Sequence, residues 1–375
     1  MTAFADPLAS GTAAAPLLQS IDHLEWWVGN PRAFASLMTA GFGFEATAYA
    51  GPETGRRDRT SYVLTQGDVR FVVTGALDPM SPIAAHVRAH GDGVHDVAFG
   101  VADAGHAYEA ALARGATGLV APRLADDDHG KVVTASIATY GDTVHTFVDR
   151  YRYSGPFLPG YRAASLPAPC GPPVGIGAID HVVANVELGA LAGWVAFYER
   201  VLGFDELVHF DDTAISTEYS ALMSTVVWDG MRVVLPINEP APGRRKSQIE
   251  EYLDYYGAPG VQHIALASDD IVATVAALGE RGIRFLAVPP SYYDEAKVRL
   301  AGVAGLPWDD LARLGILVDR DHEGHLLQIF TEHVAGRPTV FFEVIQRAGA
   351  RGFGEGNFRA LFEALERDQD ERGNL

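Results

Sequence analysis

Two stretches of the chain carry the same motif and decide its fold: S-I-D-H-L-E-W-W-V from Ser20, and A-I-D-H-V-V-A-N-V from Ala178. Both are rich in residues that suit a strand, because β-branched and aromatic side chains pack well on a pleated surface. A helical segment and then a Gly-Phe pair follow each copy, Gly43-Phe44 in the first and Gly203-Phe204 in the second. The chain therefore contains an internal repeat.

A second motif repeats further along each half. G-D-G-V-H-D-V-A-F, from Gly91, is echoed by A-P-G-V-Q-H-I-A-L, from Ala258. A helical stretch and two strand-like runs follow each copy, which indicates two strand–helix–strand–strand–strand units per half. Duplicated units that curl two by two into an open barrel are the architecture of the vicinal oxygen chelate superfamily, which this repeat resembles. The expected fold is α+β, with two vicinal-oxygen-chelate-like domains, each an open β-barrel, and a C-terminal lid helix.

Composition suggests where these domains meet. Residues 155–177 are rich in proline, which is typical of a linker. The predicted domains are therefore 19–154, an N-terminal domain without a metal site, and 178–375, the catalytic domain. Residues 1–18, rich in Ala, Gly and Ser, are expected to form a flexible tail.

Matching the two halves separates candidate ligands from scaffold. The comparison gives three pairs of positions: His23 with His181, Asp96 with His263, and His145 with Gln328. Only the second half has a histidine at both of the first two positions. His23, Asp96 and His145 are more simply interpreted as buried hydrogen-bonding residues than as a second site.

The third candidate ligand is a carboxylate inside an apolar strand. R-P-T-V-F-F-E-V-I-Q-R, Arg337 to Arg347, places Glu343 among Val, Phe and Ile, and we find no first-half equivalent of this run. A buried carboxylate is costly unless a cation or strong donors meet it. Two imidazoles and one carboxylate, here His181, His263 and Glu343, can hold one face of an Fe(II) ion and leave positions open. Zinc accepts similar ligands, so the residue types alone do not choose the metal.

Several segments resemble the 4-hydroxyphenylpyruvate dioxygenase family. They are P-I-N-E-P, K-S-Q-I-E-E-Y-L, G-V-Q-H-I-A-L, L-L-Q-I-F-T, R-P-T-V-F-F-E-V-I-Q-R and G-F-G-E-G-N-F. The resemblance covers the chain from Gln19 to Leu375 and is densest after Ala178. In that family the iron ligands are the His of I-D-H, the His of V-Q-H and the Glu of F-F-E. It therefore implies His181, His263 and Glu343 as ligands of Fe(II).

The same resemblance implies a substrate pocket, with catalytic roles for Gln262, Gln328 and Asn238. The implied substrate-binding residues are Ser224, Asn238, Gln248, Gln262, Gln328, Phe330, Phe341, Phe353, Asn357, Phe358 and Leu361. Gln262 is awkward, because strand alternation points it away from the side that His263 uses. A bulge or a role in supporting a ligand would reconcile the two.

The C-terminal segment G-N-F-R-A-L-F-E-A-L-E-R predicts a helix capped by Asn357. Phe358, Leu361, Phe362 and Leu365 follow the i, i+3, i+4, i+7 spacing of an amphipathic helix that packs on the barrel. The resemblance adds a second role, a lid whose first turn closes over an aromatic substrate.

The implied reaction uses O₂ to decarboxylate 4-hydroxyphenylpyruvate oxidatively, hydroxylate its ring and shift its side chain, giving homogentisate and CO₂ in tyrosine and phenylalanine catabolism. One competing hypothesis is 4-hydroxymandelate synthase, which oxidises the benzylic carbon of the same substrate. In that sister enzyme the positions of Asn238 and Phe358 resemble aliphatic residues, whereas this chain has the Asn and Phe of the ring-hydroxylating type. Two further hypotheses are an extradiol ring-cleaving dioxygenase and a non-catalytic ligand-binding protein of the same fold.

Bulk composition sets further bounds. The chain has 375 residues, of which 48% are hydrophobic and 21% charged, as in a globular protein of about two domains. Its net charge of −19 argues against nucleic acid as a partner. The single cysteine fits a reducing compartment, and we see no signal peptide or membrane span, so a cytoplasmic location is expected. The resemblance implies a homo-oligomer, either a dimer or a tetramer.

Overall fold

The computed structural model describes residues 17–164, 171–210 and 221–373. Most of the expected N-terminal tail, residues 1–16, therefore lies outside the described residues. The last two residues of the expected tail (1–18), Leu17 and Leu18, are described and pack in the hydrophobic core.

The first half consists of strands separated by three helices. The strands are β1 (Ser20–Trp27), β2 (Glu45–Ala50), β3 (Arg59–Gln66), β4 (Val69–Ala76), β5 (Gly93–Gly100), β6 (Gly118–Asp127), β7 (Gly130–Ala138), β8 (Val144–Asp149) and the two-residue β9 (Arg162–Ala163). The helices are α1 (Pro31–Ala40), α2 (Pro82–His90) and α3 (Ala104–Ala113), with a 3₁₀ turn at Pro52–Thr54.

The second half repeats this order with additions. Its strands are β10 (Ile176–Asn185), β11 (Asp205–Phe210), β12 (Ala221–Trp228), β13 (Val234–Ala241), β14 (Gly260–Ser268), β15 (Leu317–Arg320), β16 (His325–Phe330) and β17 (Phe341–Ala348). Its helices are α4 (Leu191–Phe197, continued by a π-helical turn at Tyr198–Leu202), α5 (Gln248–Tyr256), α6 (Ile271–Glu280), α7 (Pro290–Arg299), α8 (Trp308–Leu314) and α9 (Glu355–Glu371).

The two sheets have the same strand order. The first runs β6-β7-β8-β5-β1-β4-β3-β2-β9, and the second, in reverse, runs β15-β16-β17-β14-β10-β13-β12-β11. Each half thus contains two strand–helix–strand–strand–strand units, joined by α2 in the first half and by α5 in the second. The predicted vicinal-oxygen-chelate-like architecture, with a C-terminal helix, is confirmed. Helices α7 and α8 are additions within the last unit.

This topology corrects the residue matching of the two halves. Strand β8 pairs in parallel with β5 as β17 pairs with β14, so the Glu343 strand does have a first-half counterpart. In this register Thr146 takes the position of Glu343, and His145 takes that of Phe342 rather than that of Gln328. The equivalence was missed in the sequence because the two strands share little beyond apolar character.

The proline-rich stretch between the halves is partly packed. Phe157 is buried in a small cluster of the first half, and β9 pairs with β2. The second half begins its first strand at Ile176. Along its described residues, the stretch therefore packs against the first half and adds a short strand to its sheet. Residues 165–170 lie outside the described part of the chain.

Both halves share two irregularities in the pairing of their central strands. Between β1 and β5 the register shifts at Asp22 and at His95, which are skipped in the ladder. Between β10 and β14 it shifts at the equivalent positions, Asp180 and Gln262. An extra residue in one strand interrupts the alternation, so that two successive side chains can point to the same face of the sheet.

The two halves share a core through β17. Phe342 packs against Trp26, Phe42 and Phe71 of the first half, with ring centroids 4.9 to 5.9 Å apart. Because successive side chains of a strand point to opposite faces, this contact leaves Phe341 and Glu343 facing the interior of the second barrel.

Candidate active site

Three side chains from neighbouring strands converge in the second half: His181 from β10, His263 from β14 and Glu343 from β17. The Oε2 atom of Glu343 lies 3.2 Å from Nε2 of His181 and 3.6 Å from Nε2 of His263. Ligand atoms that bind one ion side by side at about 2.1 Å are about 3 Å apart. The spacing therefore suits a shared metal ion, held on one face and open on the other.

Hydrogen bonds hold both imidazoles with Nε2 toward this point. Asp180 Oδ1 lies 2.7 Å from Nδ1 of His181, and Gln262 Oε1 lies 2.9 Å from Nδ1 of His263. Arg347 in turn binds both carboxylate oxygens of Asp180, at 2.8 and 2.9 Å. Partners of this kind fix the tautomer and the orientation of a metal-binding histidine.

The electrostatics of the site favour a cation. Burial lowers the pKa of His181, but the charge of Glu343 and the hydrogen bond to Asp180 outweigh it and raise the pKa to about 9. Burial also lowers the pKa of His263, which Glu343 offsets only in part. Burial raises the pKa of Glu343, but the charge of His181 and the hydrogen bonds from both histidines bring it below its ordinary value. A divalent ion can replace the proton between these groups, because metal binding displaces protons from its ligands.

A cavity of about 600 Å³, partly open to solvent, adjoins the three ligands. Its walls include all but one of the predicted pocket residues: Ser224, Asn238, Gln248, Gln262, Gln328, Phe330, Phe341, Phe353, Phe358 and Leu361. The structure thus brings these residues together beside the candidate metal ligands.

The walls also contain residues that sequence reasoning missed: Val183, Phe210, Leu222, Val226, Pro236, Phe362 and Leu365. Strand alternation could have found several of them, because Val183 lies two residues after His181, and Leu222 and Val226 flank Ser224 by two. Ser224 and Asn238 face each other across β12 and β13. Phe210 carried no such signal, since its strand contains no other predicted site residue.

Gln262 enters the cavity at the register shift of β14. Its Nε2 donates to Oε1 of Gln248 at 3.3 Å, while its own Oε1 accepts from His263. The residue therefore lines the cavity and also orients a ligand. Both explanations that the sequence allowed for Gln262, a bulge and a supporting role, apply.

Asn357 lies elsewhere than expected. Helix α9 is capped by Gly354, so Asn357 sits within the first turn and does not cap the helix. Its Oδ1 accepts hydrogen bonds from Tyr292 at 2.6 Å and from Arg299 at 3.3 Å. Among the described residues it is not part of the cavity wall, and it anchors the start of α9 to α7.

Helix α9 covers the cavity with one face, formed by Phe358, Leu361, Phe362 and Leu365. Phe358 meets Phe210 edge to face, with ring centroids 5.1 Å apart. The helix begins at a tight point. A Cβ at Gly354 would lie 2.4 Å from Oε1 of Gln328, and the φ of +77° would strain any other residue, so glycine is favoured there.

Within the described residues, no helix is long and apolar enough to span a membrane. Comparison with known proteins identifies the chain more closely. Residues 22–158 match the family model "Hydroxyphenylpyruvate dioxygenase, HPPD, N-terminal". Residues 178–329 match "Glyoxalase/Bleomycin resistance protein/Dioxygenase superfamily".

Curated relatives match over almost the whole chain. A 4-hydroxyphenylpyruvate dioxygenase of Dictyostelium discoideum is 46% identical, over 96% of this chain and 100% of the relative. One from Aspergillus fumigatus is 45% identical, over 94% and 93%. Among solved structures, a triple mutant of 4-hydroxymandelate synthase from Streptomyces coelicolor has a TM-score of 0.83 at 36% identity, over 94% of this chain and 99% of that one. This chain belongs to the 4-hydroxyphenylpyruvate dioxygenase family.

Proposed function

We propose that this protein is a 4-hydroxyphenylpyruvate dioxygenase, which uses Fe(II) and O₂ to convert 4-hydroxyphenylpyruvate to homogentisate and CO₂. One observation carries the proposal: His181, His263 and Glu343 converge at the wall of an aromatic-lined cavity, in a chain 42–46% identical to curated enzymes of that name. The cytoplasmic location and the homo-oligomeric state stay predictions, to be tested by cell fractionation and light scattering.

The three ligands suit Fe(II) because two imidazoles and one carboxylate on one face are typical of non-heme iron oxygenases. A bound Fe(II) ion would supply the redox chemistry and open positions for the keto acid and for O₂. The protein holds the ligand atoms in place through Asp180 and Gln262, as described above. Metal binding would require His181 to give up its proton.

Neutral polar side chains would orient the substrate. Gln248 and Gln262 form one pair of amides, and Ser224 and Asn238 form a cross-strand pair on the neighbouring wall. Gln328 is almost fully buried, and its Oε1 has no hydrogen-bond partner among the described residues. A buried, unpaired amide oxygen is costly, and a donor such as the phenol of the substrate would satisfy it. These contacts support the proposed roles of Asn238, Gln262 and Gln328.

Aromatic side chains would hold the ring and exclude water. Phe341 stacks on His263 with a centroid distance of 4.9 Å, and Phe330 meets both rings edge to face. Phe353 lies edge to face with His181 at 5.4 Å, next to the start of α9. An apolar wall of this kind protects reactive species from water.

The test is anaerobic reconstitution with Fe(II), followed by addition of 4-hydroxyphenylpyruvate and O₂ and identification of the product. Homogentisate and one equivalent of CO₂ are expected. The likeness to a solved 4-hydroxymandelate synthase makes that activity the second candidate, and 4-hydroxymandelate as the product would establish it. The presence of Asn238 and Phe358 in the cavity favours the ring-hydroxylating enzyme. A protein that binds substrate without consuming O₂ would overturn both.

A further inference from the structure

A second group of potential metal ligands lies in the first half of the chain. His86 comes from α2, His95 from β5 and Asp142 from the turn between β7 and β8. Each offers one ligand atom, and these atoms all lie within 4.8 Å of one another. No part of the proposed reaction uses them.

Two imidazole nitrogens of this group are buried and unused. His86 places Nδ1 2.6 Å from Asp142 Oδ2, while its Nε2 has no partner among the described residues. Nδ1 of His95 is likewise buried without a described partner, and the His95 ring stacks on Trp27. Only 3% of His86 is exposed. Buried polar atoms are seldom left unpaired, so two such nitrogens within one group of potential ligands indicate a missing ligand.

This group of residues can be reached from solvent. The Asp142 side chain is 38% exposed, which gives an ion a path from solvent.

We propose that His86, His95 and Asp142 form a second metal site, for a divalent transition-metal ion of the Zn²⁺ type. Two imidazoles with one carboxylate suit Zn²⁺, Co²⁺ or Ni²⁺, whereas Ca²⁺ and Mg²⁺ prefer oxygen ligands. His90 lies beside the site, with Nε2 3.3 Å from Asp142 Oδ2. The expectation of a first half without a metal site then holds only for the position equivalent to the catalytic centre.

The role of this ion would be structural. His90 Nδ1 lies 2.6 Å from the carbonyl oxygen of Tyr256, at the end of α5, and the two rings stack. Helix α5 begins at Gln248, which lines the substrate cavity. An ion at this site would therefore tie α2, β5 and the β7–β8 turn together where the first half meets α5.

The test measures metal stoichiometry with the catalytic site disabled. In the His181→Ala/Glu343→Ala protein, stripped with a chelator, equilibrium dialysis against micromolar Co²⁺ or Zn²⁺ should still give one bound ion per chain. Adding His95→Gln should reduce this to none. The matched control adds His322→Gln instead, since that side chain is 92% exposed and distant in sequence, and should keep the ion. Asp142→Asn, at a partly exposed position, serves if His95→Gln fails to fold.

A second readout locates the ion. Bound Co²⁺ should quench Trp27 fluorescence in the disabled background, because the His95 and Trp27 ring centroids are 3.4 Å apart. The quenching should vanish with Trp27→Phe. Zn²⁺ should also raise the melting temperature by about 2 °C or more, since an ion that binds only the folded chain stabilises it. Less than a tenth of an equivalent bound in the disabled protein would overturn the proposal, as would full binding after His95→Gln.

Discussion

Burial of the ionised Glu343 carboxylate would be costly without a neighbouring cation. It is buried between two imidazoles, and the charge needed to balance it comes from His181 or from a metal ion. The negative charge of Asp180 in turn balances His181, and the positive charge of Arg347 balances Asp180. His181 is thus positioned by a chain of charged hydrogen bonds, which are stronger than neutral ones.

Replacing Glu343 should remove both metal binding and turnover. We expect Glu343→Ala to lose activity to background and to bind Fe(II) far more weakly, because only two ligands remain. Anaerobic equilibrium dialysis and oxygen uptake measure the two effects. Glu332→Ala, at a partly exposed position after β16, is the control and should behave as the unmodified protein. Retained activity in Glu343→Ala would rule out the ligand assignment.

Replacing Asp180 tests whether orientation of the ligand matters as much as its presence. Asp180→Asn should weaken metal binding by roughly 10- to 100-fold, which is typical when a partner of a ligating histidine is altered. The matched control is Asp22→Asn, since Asp22 bonds His23 at 2.6 Å in the equivalent place of the first half. That control should leave metal affinity unchanged. Equal losses in the two variants would mean that Asp180 acts through stability alone.

At the scale of elements, seven strands contribute to the cavity wall, and five of them present alternate residues to it. Pairs two apart, such as His181 with Val183 and Phe341 with Glu343, were predictable from strand alternation. Gln262 was not, because it depends on a register shift that leaves no mark in the sequence. The helix in which Asn357 lies was predictable, but its cap was not, since Gly354 takes that position in a left-handed conformation.

Helix α9 is held at both ends as it covers the cavity. Its C-terminal end is tied by Arg372 to Glu251 of α5 at 2.5 Å, and His333 lies 3.5 Å from Asp368. Its first turn rests on Tyr292 and Arg299 through Asn357. These ties mean that opening the cavity requires ion pairs to break, as well as apolar contacts.

Truncation after Arg351 should separate metal binding from catalysis. We expect the shortened protein to bind Fe(II) with near-normal affinity, because all three ligands precede the cut. Turnover should be lost, since the wall formed by Phe358 and Leu361 is gone and water enters. Product analysis and oxygen uptake measure this, and Phe358→Ala provides a milder variant if the truncated chain is insoluble. Near-normal rates of homogentisate formation would reduce α9 to a packing element.

At the scale of the molecule, the repeat predicted two similar domains and the sheets have the same strand order. What the sequence could not supply was the match between weakly similar strands. β8 and β17 are equivalent only through their parallel pairing with β5 and β14. The contact of Phe342 with the core of the first half could not be predicted either, because the sequence does not show which core an apolar strand residue packs into.

Asp96, in the first half, should make the protein less stable as the pH rises toward neutral. Burial raises the pKa of Asp96 to about 7, against the opposing effects of His23 and Thr146. Between about pH 4 and pH 7 the unfolded chain therefore loses this proton while the folded chain keeps it. The free energy of unfolding must fall as the pH rises through that window, because the unfolded state binds fewer protons there.

Asp96→Asn should abolish this fall in the free energy of unfolding. The melting temperature of the variant, relative to the unmodified protein, should rise between about pH 4.5 and pH 7, while kcat changes little. Thermal melts over that range and steady-state rates at neutral pH measure the two quantities. A difference that is constant with pH would show that Asp96 ionises normally in the folded state. A large loss of kcat would give the first half a role in catalysis.

The equivalence of Thr146 with Glu343 has a consequence for engineering. The first half already has one histidine, His23, and the carboxylate that orients it, Asp22. The other two ligand positions are occupied by Asp96 and Thr146, and the Thr146 hydroxyl donates a hydrogen bond to Asp96. Asp96→His and Thr146→Glu would complete a copy of the catalytic ligand set on a backbone that already carries the required register shifts. Two substitutions would therefore give the first barrel the same set of candidate metal ligands as the second.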